Sequence, residues 1–205
     1  DIKIVTDLEF LAILNIKNPL IGVTGTNGKS TTTHFISQIL SFNNFRDSKC
    51  CGNIGTPFTD LKINKKTLLV VEASSYQLAK IDKLNFDYAF LLNISKDHIE
   101  WHGTFRKYID SKLNIFKNQT KKNFAVICID DIGGQKLFEE LSRPKISYGF
   151  KKSSNFYIKS LKQLKNYQEF SIVNNSNGKE VKLKLKIAGR HNALNATAAY
   201  IVCLL

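Results

Sequence analysis

The chain has 205 residues, 43% of them hydrophobic and 23% charged, which is ordinary for a globular domain able to bury a sizeable core. No apolar run approaches the ~18 residues of a membrane span and no signal-peptide pattern opens the chain, so a cytoplasmic protein with no membrane partner is expected. The net charge of +13 would suit a polyanion, but the basic residues are scattered lysines with neither an Arg-rich helix nor an RNA-binding aromatic-glycine signature; nucleic acid is not expected as a partner, and an anionic nucleotide is.

In chain order, an edge segment opens the chain, and a helix is predicted from Thr6-Asp7 to Asn15 with Leu8, Leu11, Ala12 and Leu14 on its apolar side. Pro19 to Val23 is a short apolar run ending at a turn with Gly25 and Gly28, and Phe35, Ile36, Ile39 and Leu40 then recur at helical spacing. Strand, glycine turn and helix with Lys29-Ser30 in its first turn is the layout of a phosphate-binding loop. Free amides at the positive end of the helix dipole face the anion, and glycine lets the backbone approach it. Lys29 would reach the β- and γ-phosphates, and the Ser30 hydroxyl would sit on Mg²⁺. The pattern G-x4-G-K-[ST] is incomplete, since Val23 stands where the first glycine belongs, and a structural glycine turn is the competing reading.

Cys50 to Pro57 (CCGNIGTP) reads as a strand end running into a second glycine turn, with Pro57 at the start of a helix. Thr67 to Val71 is a strand buried on both faces, and Glu72 at its C-terminal end stands where open α/β sheets place ligands, a candidate Mg²⁺ ligand or simply an acidic strand terminus. Phe86 to Asn93 is a further strand, leading into a loop with Asp97, His98, Glu100, the only Trp and His102; no H-x3-H pair falls on a predicted helix, so zinc is not expected. Thr104 can cap a helix over 105–117 whose apolar stripe includes Lys112. A snorkelling stem is the plain reading; the alternative is a desolvated amine that adds CO₂ and becomes an anionic carbamate.

Asn123 to Ile129 is another strand and Gly133 to Leu141 a helix; from Lys145 to Ile187 alternating residues and polar turns read as a small antiparallel sheet with one wet face. A helix rich in Ala and Ile closes the chain after Ala188-Gly189-Arg190-His191-Asn192. The fold class is therefore α/β, a P-loop type, mostly parallel sheet flanked by helices plus a small antiparallel sheet over 145–187. Cys50, Cys51, Cys128 and Cys203 lack the C-x2-C spacing of a zinc site and read as buried free thiols. The absence of methionine points to a piece of a longer protein.

GTNGKST, CGNIGTP, EASSYQL, KDHIEWHG with Lys112 following, and GRHNALNA occur in an order that resembles the central ATP-binding domain of the Mur ligase family, over essentially the whole of residues 1–205. Within the family GNIGTP, SSYQL and GRHN point to the D-glutamate-adding branch. The resemblance implies ATP-dependent amide-bond formation between UDP-N-acetylmuramoyl-L-alanine and D-glutamate through an acyl phosphate, in peptidoglycan precursor synthesis, by a monomer. It implies that Gly25, Thr26, Asn27, Gly28, Lys29, Ser30, Thr31 and Thr32 cradle the ATP phosphates and that Asn192 and Asn195 contact adenine. Lys29, His98 and Lys112 take the catalytic roles. Ser30 and Glu72 hold one Mg²⁺, and His98 and carbamylated Lys112 a second. Asn53, Ser74, Gln77 and His98 face the muramoyl-alanine substrate. The family's N- and C-terminal domains lie outside this stretch, so the chain alone is expected to ligate nothing. A sister ligase adding another amino acid is the nearest alternative. A P-loop nucleic-acid-dependent ATPase would leave His98 and Lys112 with no shared role, and a merely structural nucleotide-binding fragment would leave Lys112→Ala silent.

Overall fold

A computed structural model describes residues 4–42 and 47–205. Among the described residues nine strands form one sheet in the order β2-β3-β1-β4-β5-β6-β7-β8-β9. The first six are β1 (Leu20–Thr24), β2 (Ser48–Gly52), β3 (Leu68–Glu72), β4 (Tyr88–Leu91), β5 (Phe124–Cys128) and β6 (Lys145–Gly149), all parallel to their neighbours. β7 (Phe156–Gln163), β8 (Gln168–Asn174) and β9 (Glu180–Leu185) extend the sheet, with β7–β8 and β8–β9 antiparallel. The expected mostly parallel α/β sheet with a small antiparallel portion is what forms. Its boundary differs: β6 is parallel to β5 and β7 is parallel to β6, so the antiparallel part starts at β7 and continues the main sheet.

The continuous apolar runs of β1, β3, β4 and β5 are covered on both faces, as parallel strands require. Ile21, Val23, Val70, Phe90 and Val126 face α2 (Lys29–Ser41) and α7 (Arg190–Val202); Leu20, Leu69, Val71, Ala89 and Ile127 face the other side, with Leu8, Leu11, Leu78 and Phe116. Ala193, Ala196, Ala198 and Ala199 are buried on α7, and their small side chains bring it close to the sheet and α2. Gly22, one place too early for the loop motif, has a packing role, because a Cβ there would stand 2.7 Å from the Phe86 ring.

Several short elements differ from expectation. The first helix is a 3-10 turn over Asp7–Glu9 followed by α1 (Phe10–Ile13); Asn15 adopts φ 53° and ends it, leaving Leu14 57% exposed. The preceding edge segment falls partly on residues 1–3, outside the described residues, and Ile4 and Val5 join no strand. Pro57 leads only into a 3-10 turn, Phe58–Asp60. The helix predicted over 105–117 is α5 (Phe105–Leu113) plus a 3-10 turn, Asn114–Phe116. Two one-turn helices, α3 (Ser75–Leu78) and α4 (Ile99–His102), follow β3 and β4, and α6 (Ile132–Glu140) follows β5. All four cysteines are free; Cys51 and Cys128 are buried, whereas Cys50 and Cys203 are only half-buried. Among the described residues no helix is long and apolar enough to cross a membrane.

Candidate active site

β1 and β3 lie side by side with Val23 opposite Glu72, so the loop after β1 and the carboxylate ending β3 emerge together at the C-terminal edge of the sheet. Gly28 takes φ 85° at the cap of α2, a left-handed conformation that glycine adopts without penalty. The Thr32 amide donates to the Gly28 carbonyl at 2.9 Å, so the amides of Lys29, Ser30 and Thr31 precede the helical ladder and point outward. Thr32 is fully buried, with its hydroxyl free of any hydrogen-bond partner, while Ser30 is exposed.

The loop is held from outside. The Asn93 side chain accepts from the Asn27 amide and donates to the Asn27 carbonyl, both at 2.9 Å. Thr26 Oγ1 lies 2.8 Å from the Tyr108 hydroxyl and accepts from the Ser95 amide at 3.0 Å. Neither Asn93 nor the Tyr108 hydroxyl was assigned to the site from sequence. A polar residue ending the apolar run FDYAFLLN was the available signal for Asn93; the Tyr108 contact spans 82 positions and left none.

Asn195, 4% exposed on α7, presses its side chain against the loop: a Cβ on Gly28 would stand 2.5 Å from Asn195 Oδ1. Asn192 donates to the Ala188 carbonyl at 2.7 Å and is half-buried beside Asn195. Gly28→Ala therefore meets both a left-handed backbone and a filled space. The variant is expected to lose about 1–3 kcal/mol in urea unfolding and to bind ATP more weakly by calorimetry.

Glu72 is 1% exposed; its Oε1 accepts from Asn53 Nδ2 at 3.0 Å, and its Oε2 is buried with no hydrogen-bond partner. A carboxylate oxygen sequestered from water and left unpaired is costly, and a hard cation satisfies it. A Cβ on Gly52, which has φ 96°, would collide with the Glu72 carbonyl, so glycine there allows β2 to close on this position.

Lys112 is 2% exposed, which rules out snorkelling. Its Nζ donates to the Gly25 carbonyl at 2.8 Å and lies 4.8 Å from the centre of the Tyr108 ring. Burial first, and the like charge of Lys29 second, push its pKa from 10.5 down to about 7, with Asp97 opposing. A substantial neutral fraction at neutral pH gives the amine a free lone pair. Lys29 donates to the Gly25 carbonyl at 3.1 Å and to that of Thr26 at 2.9 Å, which leaves one of its three N–H groups for a phosphate oxygen.

His98 sits at φ 51° before α4, with its ring 4.9 Å from that of Tyr76 and Nε2 3.4 Å from Asp97 Oδ2. The stretch read as a loop thus contains a helical turn with His98 at its cap and His102 at its end; both rings pack against Tyr76 and Tyr108, and they differ in their polar partners, Asp97 for His98 and Ser75 and Ser111 for His102. Ser74 and Gln77 form a capping box on α3, and Gln77 Nε2 also donates to Asp7 at 3.0 and 3.1 Å. Ser74, Asn53, Lys29, Asp97, His98 and Lys112 share one cleft of about 110 Å³, closed by Ser75, Tyr76 and Tyr108; Gln77 stands outside it. Among the described residues no three His, Cys, Asp or Glu side chains gather as a metal cage. Mg²⁺ typically takes one or two carboxylates and fills its shell with water and phosphate oxygens.

The Mur ligase middle domain model matches residues 23–203. The chain belongs to the Mur ligase family. It is 36% identical over 206 residues to UDP-N-acetylmuramoylalanine--D-glutamate ligase of Pediococcus pentosaceus, covering 98% of this chain and 43% of that protein. The same-named protein of Streptococcus mutans is 32% identical over 208 residues, covering 100% and 44%. The fold is shared with MurF ligase from Thermotoga maritima in complex with ADP, at TM-score 0.77 and 24% identity over 97% of this chain and 47% of that one. A UDP-N-acetylmuramoyl-L-alanyl-D-glutamate--2,6-diaminopimelate ligase gives TM-score 0.76 at 22% identity, covering 96% and 45%. This Mur ligase domain thus spans less than half the length of these relatives.

Proposed function

We propose that this Mur ligase domain is the ATP-binding centre of an enzyme that joins D-glutamate to UDP-N-acetylmuramoyl-L-alanine, a step of peptidoglycan precursor synthesis. The observation that carries the reading is the convergence of Lys29, Glu72, His98 and Lys112 beside the phosphate loop: Lys29, His98 and Lys112 line one cleft, and Asn53 of that cleft holds Glu72. The relatives matched over the full chain carry the D-glutamate-adding name, which supports the amino acid. A nucleic-acid-dependent ATPase gives His98 and Lys112 no common task.

The loop amides and Lys29 would hold the ATP phosphates. The orphaned Glu72 oxygen and the Ser30 hydroxyl fit one Mg²⁺, and His98 with Lys112 as its carbamate would hold a second. Carbamate formation is balanced by the neutral Nζ adding its lone pair to CO₂ and releasing an N–H proton to water. Mg²⁺, where bound, neutralises phosphate charge and polarises the γ-phosphoryl group. Lys29 stabilises the oxygens in transit while the alanine carboxylate attacks the γ-phosphorus and the bond to the β-phosphate oxygen breaks, releasing ADP. The amine of D-glutamate then attacks the acyl carbon; phosphate leaves with the C–O electron pair and the amine proton passes to solvent. Asn93, Tyr108 and Asn195 keep the loop in place throughout, so the work of the chain is positioning and electrostatics.

The test assays the intact enzyme for phosphate release with UDP-N-acetylmuramoyl-L-alanine and each of several amino acids. D-Glutamate alone is expected to support it. Release only with UDP-N-acetylmuramoyl-L-alanyl-D-glutamate and diaminopimelate, assayed in parallel, would assign a sister reaction, and stimulation by polynucleotide would overturn the ligase reading.

A further inference from the structure

His102 is 6% exposed and both ring nitrogens are engaged: Nε2 lies 3.0 Å from Ser75 Oγ, and Nδ1 lies 3.2 Å from Ser111 Oγ. The direction of the protons follows from Ser111, whose hydroxyl donates to the Lys107 carbonyl at 2.8 Å. A serine hydroxyl has one proton, so Ser111 Oγ must accept from Nδ1–H of His102. Nε2 of the neutral ring is then an acceptor, and Ser75 Oγ–H donates to it. The chain Ser75→His102→Ser111→Lys107 thus runs one way through α3, α4 and α5. Each of its side chains stands close in sequence to a candidate metal ligand. Ser75 is three residues after Glu72 and Ser111 immediately precedes Lys112. The His102 amide donates to the His98 carbonyl at 3.1 Å.

We propose that His102 is a positioning residue that sets the mutual spacing of Glu72, His98 and Lys112 through its hydrogen bonds to Ser75 and Ser111. The inference rests on the proposed metal roles of those three. A ring packed for bulk alone needs no polar partners; here Tyr76 stacks at 5.6 Å and Trp101 meets it edge-on at 4.5 Å, so packing and hydrogen bonding can be separated by substitution. Groups hydrogen-bonded directly to metal ligands carry roughly 10–100-fold in metal affinity, and His102 acts one step further back, through the residues beside those ligands.

The test titrates Mn²⁺ into the intact protein holding a non-hydrolysable ATP analogue. His102→Phe, which keeps the ring packing and removes both hydrogen bonds, is expected to weaken Mn²⁺ binding roughly 10-fold, the lower end of that range, while metal-free nucleotide affinity holds. His102→Gln, which retains one donor and one acceptor, is expected to recover most of it. If His102→Phe does not fold, Ser111→Ala carries the same comparison. Nitrogen-15 NMR is expected to find the neutral Nδ1–H tautomer. Wild-type Mn²⁺ affinity in a folded His102→Phe or Ser111→Ala, or an Nε2–H tautomer, would overturn the proposal. Glu72→Gln serves as the separate control: if it too leaves Mn²⁺ binding intact, the metal-site reading itself fails.

Discussion

Lys112→Met is expected to yield a protein that is more stable near neutral pH and nearly devoid of ligase activity. The opposite signs share one cause, a lysine kept out of water at 2% exposure. Its folded pKa of about 7 lies below the ordinary 10.5, so between these values the unfolded chain binds more protons than the folded one. Stability therefore rises with pH across that window, and the burden of Lys112 is full below about pH 7 and gone above 10.5. Methionine removes the burden at the loss of one hydrogen bond to the Gly25 carbonyl, which still accepts from Lys29. A gain of roughly 1–4 kcal/mol is expected in CO₂-free buffer at pH 6.5, shrinking toward pH 10. Unfolding curves at both pH values check it; an equal effect at both would show that Lys112 is not depressed. Ligation is expected to fall roughly 10³-fold, the effect of about 4 kcal/mol. In Lys112→Ala a short-chain carboxylate is expected to restore part of the activity by supplying the missing oxygens. Carbon-13 NMR with labelled CO₂ should show a carbamate in the wild type and not in the variant.

Lys29→Ala is the second large effect, and it separates chemistry from stability. Lys29 is held at the loop by the Gly25 and Thr26 carbonyls, with one N–H left over. Loss of that charge from the transferring phosphoryl group is expected to lower kcat by roughly 10³-fold or more. The fold loses two half-exposed hydrogen bonds, about 1–2 kcal/mol in unfolding. Lys29→Arg is not expected to rescue, because a planar guanidinium cannot replace a compact ammonium in a loop built around it. Rapid-quench measurement of phosphoryl transfer checks this, and a kcat within tenfold of wild type would remove Lys29 from the reaction.

The parallel core was legible because β1, β3, β4 and β5 are unbroken apolar runs, which only a strand covered on both faces requires. β6 was misread for a physical reason. Ser147 interrupts its apolar pattern and looks like a wet face, but it is 2% exposed and satisfied within the fold: its amide and hydroxyl donate to Asn155 Oδ1 at 2.8 and 2.9 Å. The phosphate loop was visible because its glycines and Lys29-Ser30 act locally. Lys112 sat on an apolar stripe in the sequence, yet the carbonyl that pairs with its buried amine lies 87 residues away. His98 in a left-handed turn also escaped, since neither Gly nor Asn marks the place. Local chemistry could be read, whereas the contacts among loop, α3, α4 and α5 exist only after the sheet assembles.

The most direct measurement of the central claim follows oxygen. UDP-N-acetylmuramoyl-L-alanine labelled with ¹⁸O in its alanine carboxylate is turned over by the intact enzyme with ATP and D-glutamate, and the released phosphate is analysed by mass. If the carboxylate attacks the γ-phosphorus and the amine later expels phosphate, each phosphate carries one labelled oxygen. Phosphate free of label, its new oxygen drawn from water, would contradict the acyl phosphate and reduce the site to an ATPase.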